Sequence, residues 1–516
     1  MTVDSVCHLS TRPPGKGTML KNVGSNWLMM VLTIVTTFIL MPFNLNALGH
    51  EQYGVWIIIS SLIGYLAFLH LGVPTASVRE MTQAIALGDD SRLNQVIASC
   101  FGTYLIIGGI ALLVGVPLYF FLTGFYRINP AFLSEARLAF LLGLSQIALS
   151  YVAIMPQAIL VSFQAFVAKN VHLALVLICR FCINIALVLY YPSILMLGIV
   201  MLAATIIEFF LLWSYVLRKY PQIRPRPRDF SFTTIRGMSG FSAYIFLLAI
   251  GMYVAYLTSP LIVGYALSAA DVPTMAVPLN LMQILMQFIS GIALVLIPVA
   301  TNLQSTGHSA ELREVYFKWT KISLGLSVCA GLFLFLFGPA FLKFWIGRSF
   351  PDEAGLVLQI LVASYVLYLP AVGAAVPVLT GLGLAKAPAL ATLSFAAVSF
   401  GLSLALVGPL GVVGVAFALA ACNIALSVAL VLQACRVLDI SLSAYLASTL
   451  PHAALASASA LLALGAWGDL FQPSGLFGLG VAGTLTVIVC ALLWSEFVLR
   501  DDPHVQLPRL SQVVRG

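Results

Sequence analysis

The sequence predicts an all-α polytopic membrane protein with about fourteen transmembrane helices. Of its 516 residues, 61% are hydrophobic and only 8% are charged, and the mean hydropathy is +1.04. Soluble domains carry about 25% charged residues, so this composition excludes a water-soluble globular protein. Runs of about 20 apolar residues, each long enough for one helical crossing, recur along the chain, and the alternating polarity of a β-barrel is absent.

Charged, Pro-rich or Gly-rich breaks define the individual crossings. The breaks are shortest within 170–216 and 386–434, where only a few residues separate two predicted crossings. The predicted crossings are 23–47, 55–77, 95–122, 137–162, 170–190, 193–216, 240–264, 273–301, 318–340, 355–380, 386–407, 410–434, 442–466 and 475–499.

The distribution of positive charge tests this assignment, because Lys and Arg concentrate in cytoplasmic loops. With a cytoplasmic N-terminus, most of the 25 Lys and Arg residues fall in cytoplasmic segments, and Arg180 lies inside a helix. The residues on the opposite side are Arg127, Arg137, Lys343 and Arg348. We therefore predict that both termini are cytoplasmic, and we attribute the net charge of +7 to orientation and not to nucleic-acid binding.

The longest connection, 217–239, is basic and Pro-rich, and we interpret it as a cytoplasmic joint between two lobes. The first helix of each lobe carries a proline, Pro42 or Pro260, followed by a glycine, Gly49 or Gly264, that is expected to close the helix. Interrupted helices at matching positions of two halves are typical of transporters whose site lies between repeats.

Motifs for enzyme chemistry are absent from the sequence. Residues 15–18 lack the complete phosphate-loop pattern, and Cys179 and Cys182 form a C-x-x-C in the middle of a predicted membrane helix. No connection is long enough for a soluble catalytic domain. The sequence predicts no enzyme activity, cofactor or metal site.

Two opposite charges are predicted near the centre of the membrane. Arg180 lies in the fifth helix and Glu208 in the sixth. A lone Arg at a helix centre costs about 2.5 to 3.5 kcal/mol by insertion scales, so each charge would offset the cost of the other. Two interpretations remain open: a structural clamp between the helices, or a pair facing a water-filled cavity in which Arg180 meets an anionic substrate.

Other polar residues are weaker candidates for substrate contact. Lys21 and Arg79 are predicted at the cytoplasmic rim of the membrane, Lys21 before the first helix and Arg79 after the second. Their positive charges would suit a phosphate group. Uncharged candidates that could bond sugar hydroxyls or join helix to helix are Asn26, Asn44, Asn46, Asn280, Gln283 and Gln287.

Residues 45–83 resemble the first two helices of bacterial polysaccharide-export flippases. The resemblance includes an LG-x-x-x-YG-x-W turn that begins at Leu48 and an LG-x-x-x-x-x-x-R segment, preceded by His70, that ends at Arg79. Further matches are Ile297-Pro298, Phe344-Trp345-Ile346-Gly347 and the run 411–418. His70 stands where the family often has Asp, so a carboxylate role is not expected there.

The resemblance is to the Wzx-type flippases of the multidrug/oligosaccharidyl-lipid/polysaccharide exporter superfamily. It implies two pseudo-symmetric six-helix lobes, which here correspond to 1–216 and 240–434, and two additional C-terminal helices with a tail in 435–516. It also implies alternating access and the transfer of polyprenyl-diphosphate-linked oligosaccharide units to the outer leaflet of the bacterial inner membrane. Implied partners are this lipid-linked substrate, membrane lipid, and polysaccharide polymerase and export machinery.

Three other classes of protein are alternatives to the polysaccharide flippase. An ion-coupled drug or cation antiporter of the same superfamily needs cavity acids, and Glu208 is the clearest one. A lipid II flippase also has fourteen helices, but the turn motifs are more similar to the polysaccharide branch. A membrane glycosyltransferase, polymerase or ligase is expected to have a large outer loop, and the outer connections here are short.

Overall fold

The computed structural model describes residues 16–70, 72–238, 243–471, 475–495 and 498. The predicted terminal segments before residue 16 and after residue 498 lie outside these described residues. Within them the chain is helical, without a β-strand. Helices satisfy their own backbone donors and acceptors, which a bilayer core cannot do. The all-α prediction is confirmed.

Contacts divide the chain into two compact units, Met1–Phe246 and Leu247–Gly516. The helices of the first unit are α1 (Lys16–Leu66), α2 (Val73–Leu87), α3 (Asp90–Phe125), α4 (Pro130–Ser162), α5 (Phe166–Tyr190), α6 (Ile194–Lys219) and α7 (Phe232–Met238).

The second unit continues from α8, which begins just before the boundary between the units. Its helices are α8 (Ala243–Ala266), α9 (Val272–Ala293), α10 (Leu296–Ser305), α11 (Ser309–Trp345), α12 (Glu353–Pro370), α13 (Val376–Gly381), α14 (Lys386–Val437), α15 (Leu442–Phe471) and α16 (Gly475–Trp494). A π-helical segment, Ala371–Ala375, joins α12 to α13.

Twelve continuous segments of the described residues are long and apolar enough to cross a membrane. Two of them contain a sharp break at a glycine. In α1, Gly49 has φ 78° and ψ 169°, and in α14, Gly411 has φ 59° and ψ −142°. Dividing the chain at these glycines gives about fourteen crossings, in agreement with the prediction. Residues with a Cβ rarely adopt such backbone angles. This explains why each of the two corners is formed by a glycine.

The second helix of the first unit is itself interrupted. A 3-10 turn, Ala67–His70, follows α1, Gly72 adopts φ 76°, and α2 restarts with Pro74 in its first turn. The prediction that this helix ends before Arg79 is therefore wrong, because α2, with Pro74 in its first turn, continues to the αL cap at Gly88.

The second unit contains a corresponding interruption. Its predicted crossing 273–301 divides into α9 and α10, and Pro298 lies in the first turns of α10. The prediction that Gly264 closes the first helix of this unit is wrong. The helix continues to Ala266, because the backbone hydrogen bonds persist past the glycine and the Leu267 amide still bonds to the Val263 carbonyl.

The two C-terminal helices, α15 and α16, pack on α11. Trp494 of α16 lies so close to Gly325 that a Cβ there would stand 2.7 Å from the indole Nε1. Phe337 of α11 meets Trp467 of α15 edge to face, with ring centroids 6.0 Å apart. Large apolar side chains elsewhere are exposed, such as Leu113 at 73%, as expected for a surface in contact with lipid.

Gly411→Ala tests the glycine corner. The new Cβ would meet only Glu353 Oε1, at an ordinary contact distance of 3.7 Å, but alanine would have to adopt φ near 59°. That strain costs about 1 to 3 kcal/mol, so the melting temperature of the purified protein is expected to fall. Gly401→Ala in the same helix is the matched control, because Gly401 has ordinary helical φ and nothing within 4 Å. Equal melting temperatures for the two variants would refute the strained corner.

Candidate functional site

A cluster of three polar side chains lies within the apolar helices of the first unit. Arg180 of α5 and Glu208 of α6 are each more than two turns from either end of their helix. The third member, Gln157, is on α4. By helical rise, Arg180 lies about 15 Å from the end of α5, and Glu208 about 17 Å from the end of α6. Both charges are therefore central along their helices.

Gln157 is the direct partner of the carboxylate. Its Nε2 donates a hydrogen bond of 2.6 Å to Glu208 Oε1. The Arg180 charge interacts electrostatically with Glu208, but the two side chains form no direct ion pair among the described residues. Both side chains are half-buried. The carboxylate is thus held by an amide, and the guanidinium keeps its donors available while its charge is partly compensated.

A second polar group joins α1 to α5. The Asn170 amide donates to Asn26 Oδ1 at 2.6 Å and lies 3.0 Å from Ser25 Oγ. Near the end of α4, the Gln164 carbonyl accepts from the Asn22 amide at 3.3 Å. Asn26 therefore takes part in a hydrogen bond between helices, which is one of the two roles considered for it.

By the same register, two further asparagines lie at similar heights along α1 and α5. The two contacts of Asn170, and the contact of Gln164 just before α5, join residues separated by 142 to 145 positions, so α1 and α5 run in parallel. At this offset, Asn184 lies level with residue 40, about one turn before Asn44. Both asparagines are buried, and the Oδ1 of each has no hydrogen-bond partner in the described chain. Buried acceptors without donors are costly, which marks this level for a polar ligand or water.

The two cations predicted at the cytoplasmic rim occupy different helices. Lys21 lies in the first turns of α1 and is exposed. Arg79 lies inside α2 and is also exposed, beside Glu80, which forms an ion pair of 3.4 Å with Arg92. The structure therefore separates these candidates from the central cluster by position along the helices.

A small polar chamber occupies the second unit. It is bounded by α8, α9, α12 and α14, and its polar lining consists of Tyr256, Gln283, Tyr365, Tyr368, Thr392, Ser399, Cys422 and Asn423. The centre of a water molecule can occupy only about 20 Å³ there, so the chamber has room for about one water.

The amides around this chamber are used in different ways. Asn280 Oδ1 accepts from the Tyr256 hydroxyl at 2.9 Å, and its amide donates to the Ala276 carbonyl. Gln283 is buried in the chamber wall, whereas Gln287, one turn further along α9, is exposed. Asn423 Nδ2 is buried without a partner among the described residues.

Sequence analysis missed several members of these groups. Gln157, Asn170, Asn184 and Asn423 are single polar residues in apolar runs, and that contrast was the available signal. Their partners were not predictable, because the predicted runs do not specify the rotation of one helix against another.

Residues 47–354 match the family described as "Polysaccharide biosynthesis protein". The chain is 24% identical over 406 residues to the "Uncharacterized membrane protein EpsK" of Bacillus subtilis (strain 168), covering 77% of this chain and 79% of the relative.

Solved structures with the same fold are transporters. "Lipid II flippase MurJ, inward closed conformation" has a TM-score of 0.69 and 14% identity, covering 91% of this chain and 98% of that one. An inward-facing "multidrug resistance MATE family transporter of the MOP superfamily" has a TM-score of 0.66 and 15% identity, covering 78% and 94%. At these identities the likeness shows the fold alone.

The fold and the membrane-embedded polar groups define a multi-pass membrane protein with the two-lobe architecture of these transporters. Within that class, the chain belongs to the polysaccharide biosynthesis protein family, since the match spans more than half of its length. The family predicted from the turn motifs is thereby confirmed.

Gln157→Leu tests the support of Glu208. Loss of the amide leaves a half-buried carboxylate without its donor, at a cost of about 1 to 3 kcal/mol or more, so the melting temperature is expected to fall. The control is Gln146→Leu, which removes a 3.1 Å bond to Thr205 between the same two helices. Thr205 still donates to the Met201 carbonyl, so a smaller loss is expected.

The double variant Gln157→Leu/Glu208→Gln completes this test. A neutral side chain at position 208 tolerates the missing donor better, so the double variant is expected to recover part of the lost melting temperature. Equal losses for the two Gln variants, together with no recovery in the double variant, would show that Glu208 does not depend on Gln157.

Proposed function

We propose that this protein is a flippase for polyprenyl-diphosphate-linked oligosaccharide repeat units. It transfers them from the cytoplasmic to the outer leaflet of the inner membrane by alternating access, for surface polysaccharide or exopolysaccharide synthesis, including O-antigen-type polymers. The family match and the two-lobe transporter fold support this class of activity. On this proposal the chain acts as a transporter and not as an enzyme.

The observation that carries the proposal is that Arg180, in the middle of α5, forms no direct ion pair with Glu208. It is central in the membrane, and Glu208 compensates its charge without a direct ion pair because Gln157 holds the carboxylate. A guanidinium with free donors is suited to bidentate contact with a diphosphate. In this role Glu208 limits the cost of an Arg in hydrocarbon between transport cycles.

The remaining candidates receive roles consistent with their surroundings. Lys21 and Arg79 provide positive charge for the headgroup at the proposed cytoplasmic rim. Asn44 has a buried acceptor without a donor, and Gln283 and Gln287 carry amides on one helix. These amides are proposed to bond sugar hydroxyls, and Asn26 joins them when its bond to Asn170 is exchanged for one to substrate.

A drug or cation antiporter of the same superfamily is the second candidate. The fold alone supports it, and its central acid would be Glu208. That carboxylate already accepts a bond of 2.6 Å from Gln157 and lies in the field of Arg180, which opposes binding of a cation. A lipid II flippase ranks third, supported by the likeness in fold.

Deletion of the gene tests the proposed function in cells without a redundant flippase. Loss of surface polymer is expected, together with lipid-linked repeat units that remain accessible only from the cytoplasmic leaflet. Quantification of the polymer and of leaflet accessibility, with complementation by the intact gene, measures this directly. Normal polymer with normal lipid intermediates would overturn the proposal and favour the antiporter, for which drug susceptibility is the next assay.

Arg180→Ala tests the substrate contact. Loss of a charge-assisted contact of about 1.5 to 3 kcal/mol is expected to reduce polymer export roughly tenfold to a hundredfold, and Arg180→Lys is expected to retain part of it. Arg127→Ala, in the exposed connection between α3 and α4, is the matched control. Protein abundance is measured alongside, because a structural clamp would lower abundance. Normal export by the alanine variant at normal abundance would end the substrate-binding role.

A further inference from the structure

The connection between α6 and α8 presents exposed positive charge. We call residues 220–238 the basic linker. Three of its four arginines, Arg224, Arg226 and Arg228, alternate with prolines and are all exposed. Proline at alternate positions disfavours an α-helix. Arg226 is extended, with φ −109° and ψ 145°, and a short 3-10 turn, Pro227–Asp229, follows it.

The basic linker is anchored to the first unit by hydrogen bonds to α3. Asn94 makes two of them: its amide donates to the Gln222 carbonyl at 2.9 Å, and its Oδ1 accepts from the Arg224 amide at 2.6 Å. Further along, the Ser231 amide donates to Ser99 Oγ at 3.0 Å. The arginines are therefore presented on a built surface and not on a freely moving loop.

The length of α3 sets the depth of this surface. From the end of α3 at Phe125, the helical rise places Gly102 about 35 Å away and Asn94 about 47 Å away. The hydrocarbon core is about 30 Å thick, and the whole bilayer with headgroups about 40 to 45 Å. With Phe125 placed at the far edge of the hydrocarbon core, Gly102 lies near the opposite interface and Asn94 at the outer edge of the headgroups.

Two phenylalanines of the basic linker lie at the interface level. The Phe230 ring packs against Gly102, where a Cβ would stand 2.7 Å from it. Phe232 follows two residues later and is 71% exposed. An exposed aromatic ring beside basic residues at this depth is typical of a segment that rests on a bilayer surface.

The side chains of Arg224, Arg226 and Arg228 have no acidic partner among the described residues. Asp229, the acid within this stretch, accepts a bond from the Arg226 backbone amide. The nearby Glu80 is paired with Arg92, whose guanidinium also bonds Thr234 of α7. The guanidinium of Arg224 donates to the Pro221 carbonyl in its own segment. Net positive charge therefore remains at headgroup depth.

We propose that the basic linker is a docking surface for the headgroups of anionic phospholipids. Arg224, Arg226 and Arg228 contact the lipid phosphates, and the Phe232 ring inserts among the adjacent acyl chains. Each basic residue near an anionic leaflet contributes to such attraction, which falls with added salt. This inference does not depend on the substrate that the protein transports.

Lipid titration of the detergent-purified full-length protein tests the proposal. The probes are phosphatidylglycerol and the zwitterionic phosphatidylcholine, and native mass spectrometry gives the apparent Kd for each. The intact protein is expected to prefer phosphatidylglycerol, and the preference is expected to weaken with salt. The triple variant R224Q/R226Q/R228Q is expected to bind phosphatidylglycerol roughly tenfold or more weakly, with little change for phosphatidylcholine.

Two controls keep the result specific. R127Q/R137Q/R348Q removes the same number of charges from exposed sites outside the basic linker and is expected to change the Kd for phosphatidylglycerol by about twofold or less. The melting temperature of every variant in lipid-free detergent shows that it is folded. If the triple variant is unfolded, the single variant R226Q replaces it, with a smaller loss in the same direction.

Several results would overturn the assignment. These are no preference for phosphatidylglycerol in the intact protein, or equal losses in the linker and control variants. A linker variant that keeps its lipid preference but loses polymer export would also reject it, and would point to an acidic protein partner at this surface. Loss of lipid preference with normal export would support the lipid surface and leave the proposed transport function intact.

Discussion

The requirement that backbone polar groups be satisfied inside hydrocarbon governs this structure. A bilayer core offers no water, so each crossing is a helix and departures from helix are confined to special positions. Gly49 and Gly411 make sharp corners with backbone angles that other residues rarely adopt. The interruption after α1, with a 3-10 turn at Ala67–His70 and a left-handed Gly72, is followed by Pro74, whose missing amide proton is harmless in the first turn of a helix. The same constraint accounts for the length of the helices and for their breaks.

The same low-dielectric environment controls the polar side chains. Each buried amide or charge needs a partner, and the partners come from neighbouring helices: Gln157 for Glu208, Asn26 for Asn170, and Tyr256 for Asn280. These contacts join α4 to α6, α1 to α5, and α8 to α9. Arg180 is an exception. Because Gln157 holds the Glu208 carboxylate, the Arg180 guanidinium keeps hydrogen-bond donors that a ligand could use.

The basic linker shows how a connection can become part of a lobe. Sequence analysis interprets the basic, Pro-rich stretch 217–239 as a cytoplasmic joint between two lobes. In the structure, Asn94 and Ser99 bond its backbone and Gly102 accommodates Phe230, so the segment up to residue 238 packs with the first unit. A joint that is held on one side presents its charges in a fixed position, which gives the linker a surface of its own.

The sequence by itself determined the class of fold, the number of crossings and the family. Each crossing needs about 20 apolar residues, and turn motifs such as the one at Leu48 are local, so these features can be read along the chain. Arg180 and Glu208 were also identifiable, because a charge in an apolar run is conspicuous. Only the tertiary structure decided that Gln157 holds Glu208, that Asn26 meets Asn170, and that α2 continues past Arg79. Such partners depend on the rotation and axial shift of one helix against another, and a uniformly apolar helix surface carries little information about either.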